Sequence, residues 1–170
     1  FSSLVKIPIL GMPSKPAQST SIFPETLSSQ NTEISDYLRT ITVLYTNDEH
    51  GWMGGIDDLG AANLMAVWQD DYNYSPDNGY LILSGGDMWS GAAISSWFEG
   101  ASMVQAMNAM GYRAAALGNH EFDYGPAWPL LLEKVADFPL VCANAYIQGT
   151  SKRLFKPYQI FTLNGLTLLV

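Results

Sequence analysis

Gly118-Asn119-His120-Glu121-Phe122-Asp123-Tyr124-Gly125 places an amide, an imidazole and two carboxylates within five consecutive residues, directly after an apolar run. An Asn and a His supply only part of a metal or phosphate site, and two partner clusters stand upstream: Asp48-Glu49-His50-Gly51 and Gly85-Gly86-Asp87. Both histidines of the chain fall inside these clusters. Carboxylate, imidazole and amide oxygen together suit a hard-to-borderline divalent metal such as Mn, Fe or Zn. Asp87, between two other ligand-bearing clusters, could bridge a pair of ions ~3.5–4 Å apart, an arrangement that clamps a phosphate and acidifies a bound water.

Each cluster taken singly has a plainer reading. Asp48-x-His50 can be a solvated loop or a helix cap, Gly85-Gly86-Asp87 an ordinary turn, and Gly118-Asn119 a left-handed Asn after Gly. Their joint occurrence at three successive strand ends points to a functional site.

The elements that must position these residues follow from apolar periodicity. Ile41, Val43, Leu44 and Tyr45 form a buried strand ending at Asn47-Asp48. After a Gly-rich loop, Ala61, Leu64, Met65, Trp68 and Tyr72 recur as one helix face, with Asp57 or Asp58 available as a cap. The pattern then repeats: strand Tyr80–Leu83 stops at Gly85-Gly86-Asp87, a helix carries Met103, Val104, Met107 and Met110, and strand Ala114–Leu117 stops at Gly118-Asn119-His120. Trp128, Leu131, Leu132 and Val135 give a further helix face, and strand Leu140–Ala143 stops at Asn144. Alternation of this kind predicts an α/β fold, a mainly parallel sheet covered on both faces and flanked by helices, with right-handed crossovers. Ligands in such sheets sit at the carboxyl ends of the strands. Asp48 and His50, Asp87, Asn119 and His120, and Asn144 are thereby delivered to one rim.

Composition limits the partners. With 48% hydrophobic and 12% aromatic residues the chain is not disordered, and no apolar run approaches the ~20 residues of a membrane-spanning helix. A net charge of −8 argues against nucleic acid as partner; a phosphate ester would need bound cations to attract it. The one cysteine, Cys142, excludes an internal disulfide and a multi-cysteine zinc site. No Gly-x-x-x-x-Gly-Lys-Ser/Thr loop is present, which removes the usual kinase or ATPase reading. The Met103, Met107, Met110 stripe reads as core. Trp52, Trp89 and Trp97 read as buried or half-buried aromatics with the option of flanking the site. Asn73-Tyr74-Ser75 matches a glycosylation sequon but is followed by Pro76.

Residues 1–36, rich in Ser, Thr and Pro, read as a leader or linker, within which Leu4–Met12 is a processed-signal remnant or an extended strand. Residues 37–170 read as the domain proper. Tyr158–Leu163 and Leu166–Val170 flank Asn164-Gly165, the strongest short hairpin signal; the returning strand stops in mid-run, so the chain is expected to be a fragment.

The order Asp48-x-His50, Gly86-Asp87, Gly118-Asn119-His120-Glu121 resembles the calcineurin-like metallophosphoesterase superfamily. Thr46-Asn47-Asp48-Glu49-His50-Gly51 and Leu117–Gly125 narrow the resemblance to the family of 5′-nucleotidases, UDP-sugar hydrolases and 2′,3′-cyclic phosphodiesterases, and Asp137-Phe138-Pro139 leading to Ala143-Asn144 is similar to that family's next segment. The resemblance implies a metallophosphoesterase-type layered sandwich, here truncated to the first part of the catalytic domain. It implies two divalent ions from among Zn, Mn, Fe and Co. Asp48 and His50 would bind the first, Asp87 would bridge, and Asn119 would bind the second. His120 would not be a ligand but would pair with Asp123 and face the phosphoryl oxygens, with Asn119, His120 and Asn144 contacting substrate. The family draws further histidines and a base-gripping domain from residues beyond this segment, and this chain has no histidine after His120. The C-terminal remainder of the polypeptide is therefore an expected partner, and the chain alone is expected to bind one metal weakly and hydrolyse little.

The implied function is two-metal hydrolysis of a phosphate ester, foremost a nucleotide, in an extracytoplasmic compartment. Cyclic nucleotide phosphodiesterase and thiosulfohydrolase activities share these motifs. A non-catalytic binding protein that keeps the fold is the alternative of another class.

Overall fold

A computed structural model describes residues 2–10, 38–52, 54 and 60–170. Five strands form one sheet in the order β1 (Ser2–Leu10), β2 (Leu38–Thr46), β3 (Leu81–Ser84), β4 (Ala114–Ala116), β5 (Leu140–Val141). From β2 to β5 every neighbour is parallel, with Leu44 opposite Ile82, Leu83 opposite Ala114 and Ala115 opposite Leu140. Ser2–Leu10, part of the stretch whose composition reads as a leader, is a nine-residue strand pairing antiparallel with β2 along its whole length.

Among the described residues four helices join these strands: α1 (Ala61–Tyr72), α2 (Ala93–Trp97), α3 (Ala101–Met110) and α4 (Trp128–Leu132). Because β2, β3, β4 and β5 advance across the sheet in one direction, right-handed crossovers all land on the same face. The packing agrees. Leu44, Ile82, Ala115 and Leu140 cluster with Trp68 of α1, with Met103, Val104, Met107 and Met110 of α3, and with Leu132 of α4. Alternate residues of the same strands, Val43, Leu81, Leu83 and Ala114, face the other way. They pack against Phe161, Leu163 and Leu168 of a hairpin formed by β6 (Ile160–Leu163) and β7 (Leu166–Leu169). Among the described residues the second face is thus covered by strands.

The hairpin turns at Asn164 (φ 50°) and Gly165 (φ 73°), the paired left-handed conformation that Asn-Gly adopts at little cost. It is pinned to β2, since Arg39 Nη1 donates to the Asn164 carbonyl (2.7 Å) and Asn164 Nδ2 to the Thr40 carbonyl (3.0 Å).

The α1 face expected from spacing lines the core, with Trp68 fully buried. Gly60 occupies the N-cap position without a side-chain bond; Asp57 and Asp58 lie outside the described residues. Asn73 ends α1 as a left-handed C-cap, with the Tyr74 N–H returning to the Trp68 carbonyl at 2.9 Å. The methionine stripe of α3 is core, as its spacing requires. The last helix face is corrected. Leu132 is buried, but Leu131 and Val135 are 47% and 51% exposed. After Leu132 the α-helix ends in a turn of mixed i→i+3 and i→i+4 bonds (Val135 N and Ala136 N both to Leu132 O, 3.0 Å), and Val135 lies in that turn rather than on a helix face.

Candidate metal centre and acid dyad

The loops that leave β2 and β3 continue to pair beyond the sheet. Gly85 N–H donates to Thr46 O (2.8 Å), Asp48 N–H to Gly86 O (3.0 Å), His50 N–H to Asp87 O (3.0 Å) and Gly51 N–H to Met88 O (2.7 Å). This irregular ladder holds Asp48 (φ 54°), His50 (φ 47°) and Asp87 (φ 56°) in the left-handed region. Each such residue costs of order 1–3 kcal/mol and persists only where its surroundings over-determine it. Three non-glycine residues in that region within two facing loops mark the rim as specialised.

The loop after β4 reaches the same place. Gly86 and Gly118 meet so closely that a Cβ on Gly118 would lie 2.1 Å from Asp87 Oδ1. Only a residue without a side chain permits that approach. The His120 N–H then donates to Asp87 Oδ1 at 2.9 Å. One ligand atom from each of His50, Asp87 and His120 lies within 4.8 Å of the others, and Asp48 Oδ1 stands 3.9 Å from His50 Nε2.

Protonation of the rings follows from their partners. His50 Nδ1 is 2.8 Å from the Ser90 carbonyl, which can only accept, so Nδ1 donates there and Nε2 is left on the side of Asp48. His120 Nδ1 is 2.8 Å from Asp123 Oδ2, folded back by a 3₁₀ turn over His120–Phe122. The bond to Asp123 raises the His120 pKa, and the Asp123, Asp87 and Glu121 charges add to it. Asp123 is held below the ordinary carboxyl value, first by the Ser90 hydroxyl and then by His120. Ser90 Oγ also lies 3.3 Å from the His120 carbonyl. A hydroxyl carries one proton, and the charged carboxylate is the stronger acceptor.

This donor set fits a divalent cation. Imidazole nitrogens and carboxylate oxygens within 4.8 Å of one another are the donor types that zinc and similar borderline cations take. Asn119 is exposed, with right-handed φ (−76°) rather than the left-handed turn its Gly-Asn context allows. It adjoins the cluster through the backbone of His120. Asn144, also exposed, accepts from the Cys142 thiol at 3.2 Å, and among the described residues no contact links it to the His50, Asp87, His120 group.

No protein-family model matches the chain. The UshA protein of Yersinia enterocolitica is 39% identical over 134 residues, which cover 76% of this chain and 24% of that protein. A 5′-nucleotidase of Vibrio cholerae is 38% identical over 141 residues, covering 80% and 25% respectively. The solved 5′-nucleotidase precursor of Thermus thermophilus superposes with a TM-score of 0.63 at 29% identity, over 76% of this chain and 27% of that one. The chain belongs to the 5′-nucleotidase family of calcineurin-like metallophosphoesterases. It spans about a quarter of the length of the curated relatives it matches.

Within this 5′-nucleotidase-family segment, residues without an assigned role in the motifs also build the rim. Ser90 orients His50 through its carbonyl, and its hydroxyl, 3.3 Å from the His120 carbonyl, sits beside the dyad and helps to lower the Asp123 pKa. Glu121, fully buried, accepts backbone N–H groups from both the β3 and β4 loops. Glu49 turns inward: Tyr112 OH meets Thr46 Oγ1 at 2.7 Å, Thr46 donates on to Glu49 Oε1, and burial raises the pKa of Glu49 and of Tyr112. Glu49 Oε2 is buried with no hydrogen-bond partner among the described residues. Of the tryptophans, Trp89 is fully buried in the loop after β3, whereas Trp52 and Trp97 are 48% and 84% exposed. A signal for Ser90 was available only in its position three residues after Asp87.

Proposed function

We propose that this segment carries the first part of a two-metal active site that hydrolyses phosphate esters, nucleotides foremost. The observation that supports it is the convergence of His50, Asp87 and His120 ligand atoms within 4.8 Å at the carboxyl ends of parallel strands, with both Nδ1 atoms already engaged. In this reading Asp48 and His50 would hold one ion and Asn119 the second, with Asp87 shared between them. Bound divalent ions would supply positive charge for the phosphoryl oxygens and an acidified water.

The chain's own residues do the rest. His50, whose Nδ1 is held by the Ser90 carbonyl, would use its Nε2 as the ligand atom. His120 and Asp123 form an ion-paired dyad in which the carboxylate steadies the imidazolium. That imidazolium either donates to a phosphoryl oxygen as charge builds on it or protonates the departing alkoxide. Asn144 at the end of β5 is a substrate contact in this reading, although its present bond is to Cys142. The relatives named 5′-nucleotidase favour a nucleotide monoester as substrate, and an extracytoplasmic location accompanies that reading. No helix among the described residues is long and apolar enough to cross a membrane.

The test is phosphate release from AMP, UDP-glucose and a 2′,3′-cyclic nucleotide by the protein that carries this segment, before and after EDTA and metal readdition. Turnover of AMP that EDTA abolishes and Mn²⁺ or Zn²⁺ restores is the expected result. EDTA-resistant turnover, or none on any ester, overturns it.

A further inference from the structure

Glu121 has no place among ligands, acids or bases, yet it is the most completely enclosed charged residue described, at 0% exposure. Its Oε2 accepts the N–H of Asp87 (2.9 Å) and of Gly118 (2.6 Å), and its Oε1 the N–H of Met88 (2.7 Å). Three backbone donors thus converge on one carboxylate, two from the β3 loop and one from the β4 loop. The reverse bond closes the pair, since Asp87 Oδ1 accepts from the N–H of His120, the residue next to Glu121. Asp87 is therefore held on both sides of its left-handed backbone: its N–H by Glu121 and its carbonyl by the His50 N–H.

We propose that Glu121 is a positioning residue for the metal centre, clamping the β3 and β4 loops so that Asp87 and His120 face His50; this rests on the metal-site reading above. Two alternatives fail on the same geometry. A core-filling role would be met by an apolar side chain, which would leave three buried N–H groups without acceptors, a costly outcome. A ligand role is disfavoured because both oxygens already accept from the backbone. A Gln would offer one acceptor oxygen to three donors and turn its NH₂ toward an N–H.

The experiment compares Mn²⁺ binding, read by EPR of free Mn²⁺, in the protein that carries this chain, unaltered and as E121Q and E121D, with circular dichroism as the folding control. E121Q is expected to stay folded and bind Mn²⁺ about 10–100-fold more weakly, the usual effect of losing a group that orients a ligand. E121D keeps the charge but withdraws it by roughly one 1.5 Å bond, and is expected to be impaired as well. Wild-type affinity in folded E121Q, or full restoration by E121D, overturns the clamp while leaving the metal site standing. A complete lack of Mn²⁺ binding by the unaltered protein overturns the metal-site reading and this inference with it. Should E121Q not fold, amide exchange in the unaltered protein decides: protection of Asp87, Met88 and Gly118 is expected, and rapid exchange at all three overturns the clamp.

Discussion

His50 and His120 meet edge to face, their ring centroids 5.0 Å apart and their planes at 74°. The two rings face one cluster but are oriented by different partners, a carbonyl for His50 and a carboxylate for His120. A ring whose Nδ1 is held by a carbonyl leaves Nε2 for a ligand role, and a ring held by a carboxylate suits a proton donor. His50→Ala is therefore expected to lose divalent binding along with turnover. His120→Ala is expected to keep Mn²⁺ binding within a fewfold while turnover falls by about 10²–10⁴. Calorimetric metal titration beside phosphate release separates the two, and equal loss of binding in both variants would make His120 a ligand instead.

The dyad also has a pH signature. Asp123 raises the His120 pKa above its ordinary 6.5, so the paired charge supports the fold fully below pH 6.5 and less as pH rises through the raised value. Asp123 itself lies below its ordinary 3.8, so its share is present above pH 3.8 and is lost as pH falls through the lowered value. In Asp123→Asn the His120 ring should titrate at lower pH. With only two histidines in the chain, a proton NMR titration in EDTA reads this directly; an unmoved His120 curve would remove Asp123 from the dyad.

Glu49 works in the opposite sense to Asp123. Burial raises its pKa above the ordinary 4.5, so the native state binds more protons than the unfolded chain in that window, and stability declines as pH climbs from 4.5 through the raised value. Replacing Glu49 with Gln should flatten part of that decline. Thermal melts of metal-free protein from pH 4 to 8 measure it, and a slope identical to wild type contradicts it.

Gly118→Ala inserts a Cβ where Asp87 Oδ1 stands 2.1 Å away. The loops must part, and overpacking of this kind costs roughly 1–3 kcal/mol. The expected result is a lower melting temperature together with weakened Mn²⁺ binding. By contrast Met107→Ala, in the fully buried stripe of α3, should cost about 2–5 kcal/mol with metal affinity kept. Denaturant melts paired with Mn²⁺ titration distinguish a loop effect from a core effect.

Read by itself, the amino-acid order determined what depends on neighbours in the chain. The apolar runs of β2 to β5, the α1 and α3 faces, the Asn164-Gly165 turn and the three-residue reach from His120 to Asp123 are all local periodicity or local turn chemistry. Placement of Asp48, Asp87 and His120 at successive strand ends follows from that periodicity and the rule for parallel sheets. Tertiary structure decided what depends on residues distant in sequence. The left-handed backbone of Asp48, His50 and Asp87 is held by bonds between separate loops, and Glu121 meets donors 33 and 34 residues away. The strand cover on the second face follows from the direction in which the strands advance, and the exposure of Leu131 and Val135 from an α4 that ends after five residues. A pairwise pattern along the chain carries no record of such contacts, because their energy arises only once the loops are brought together.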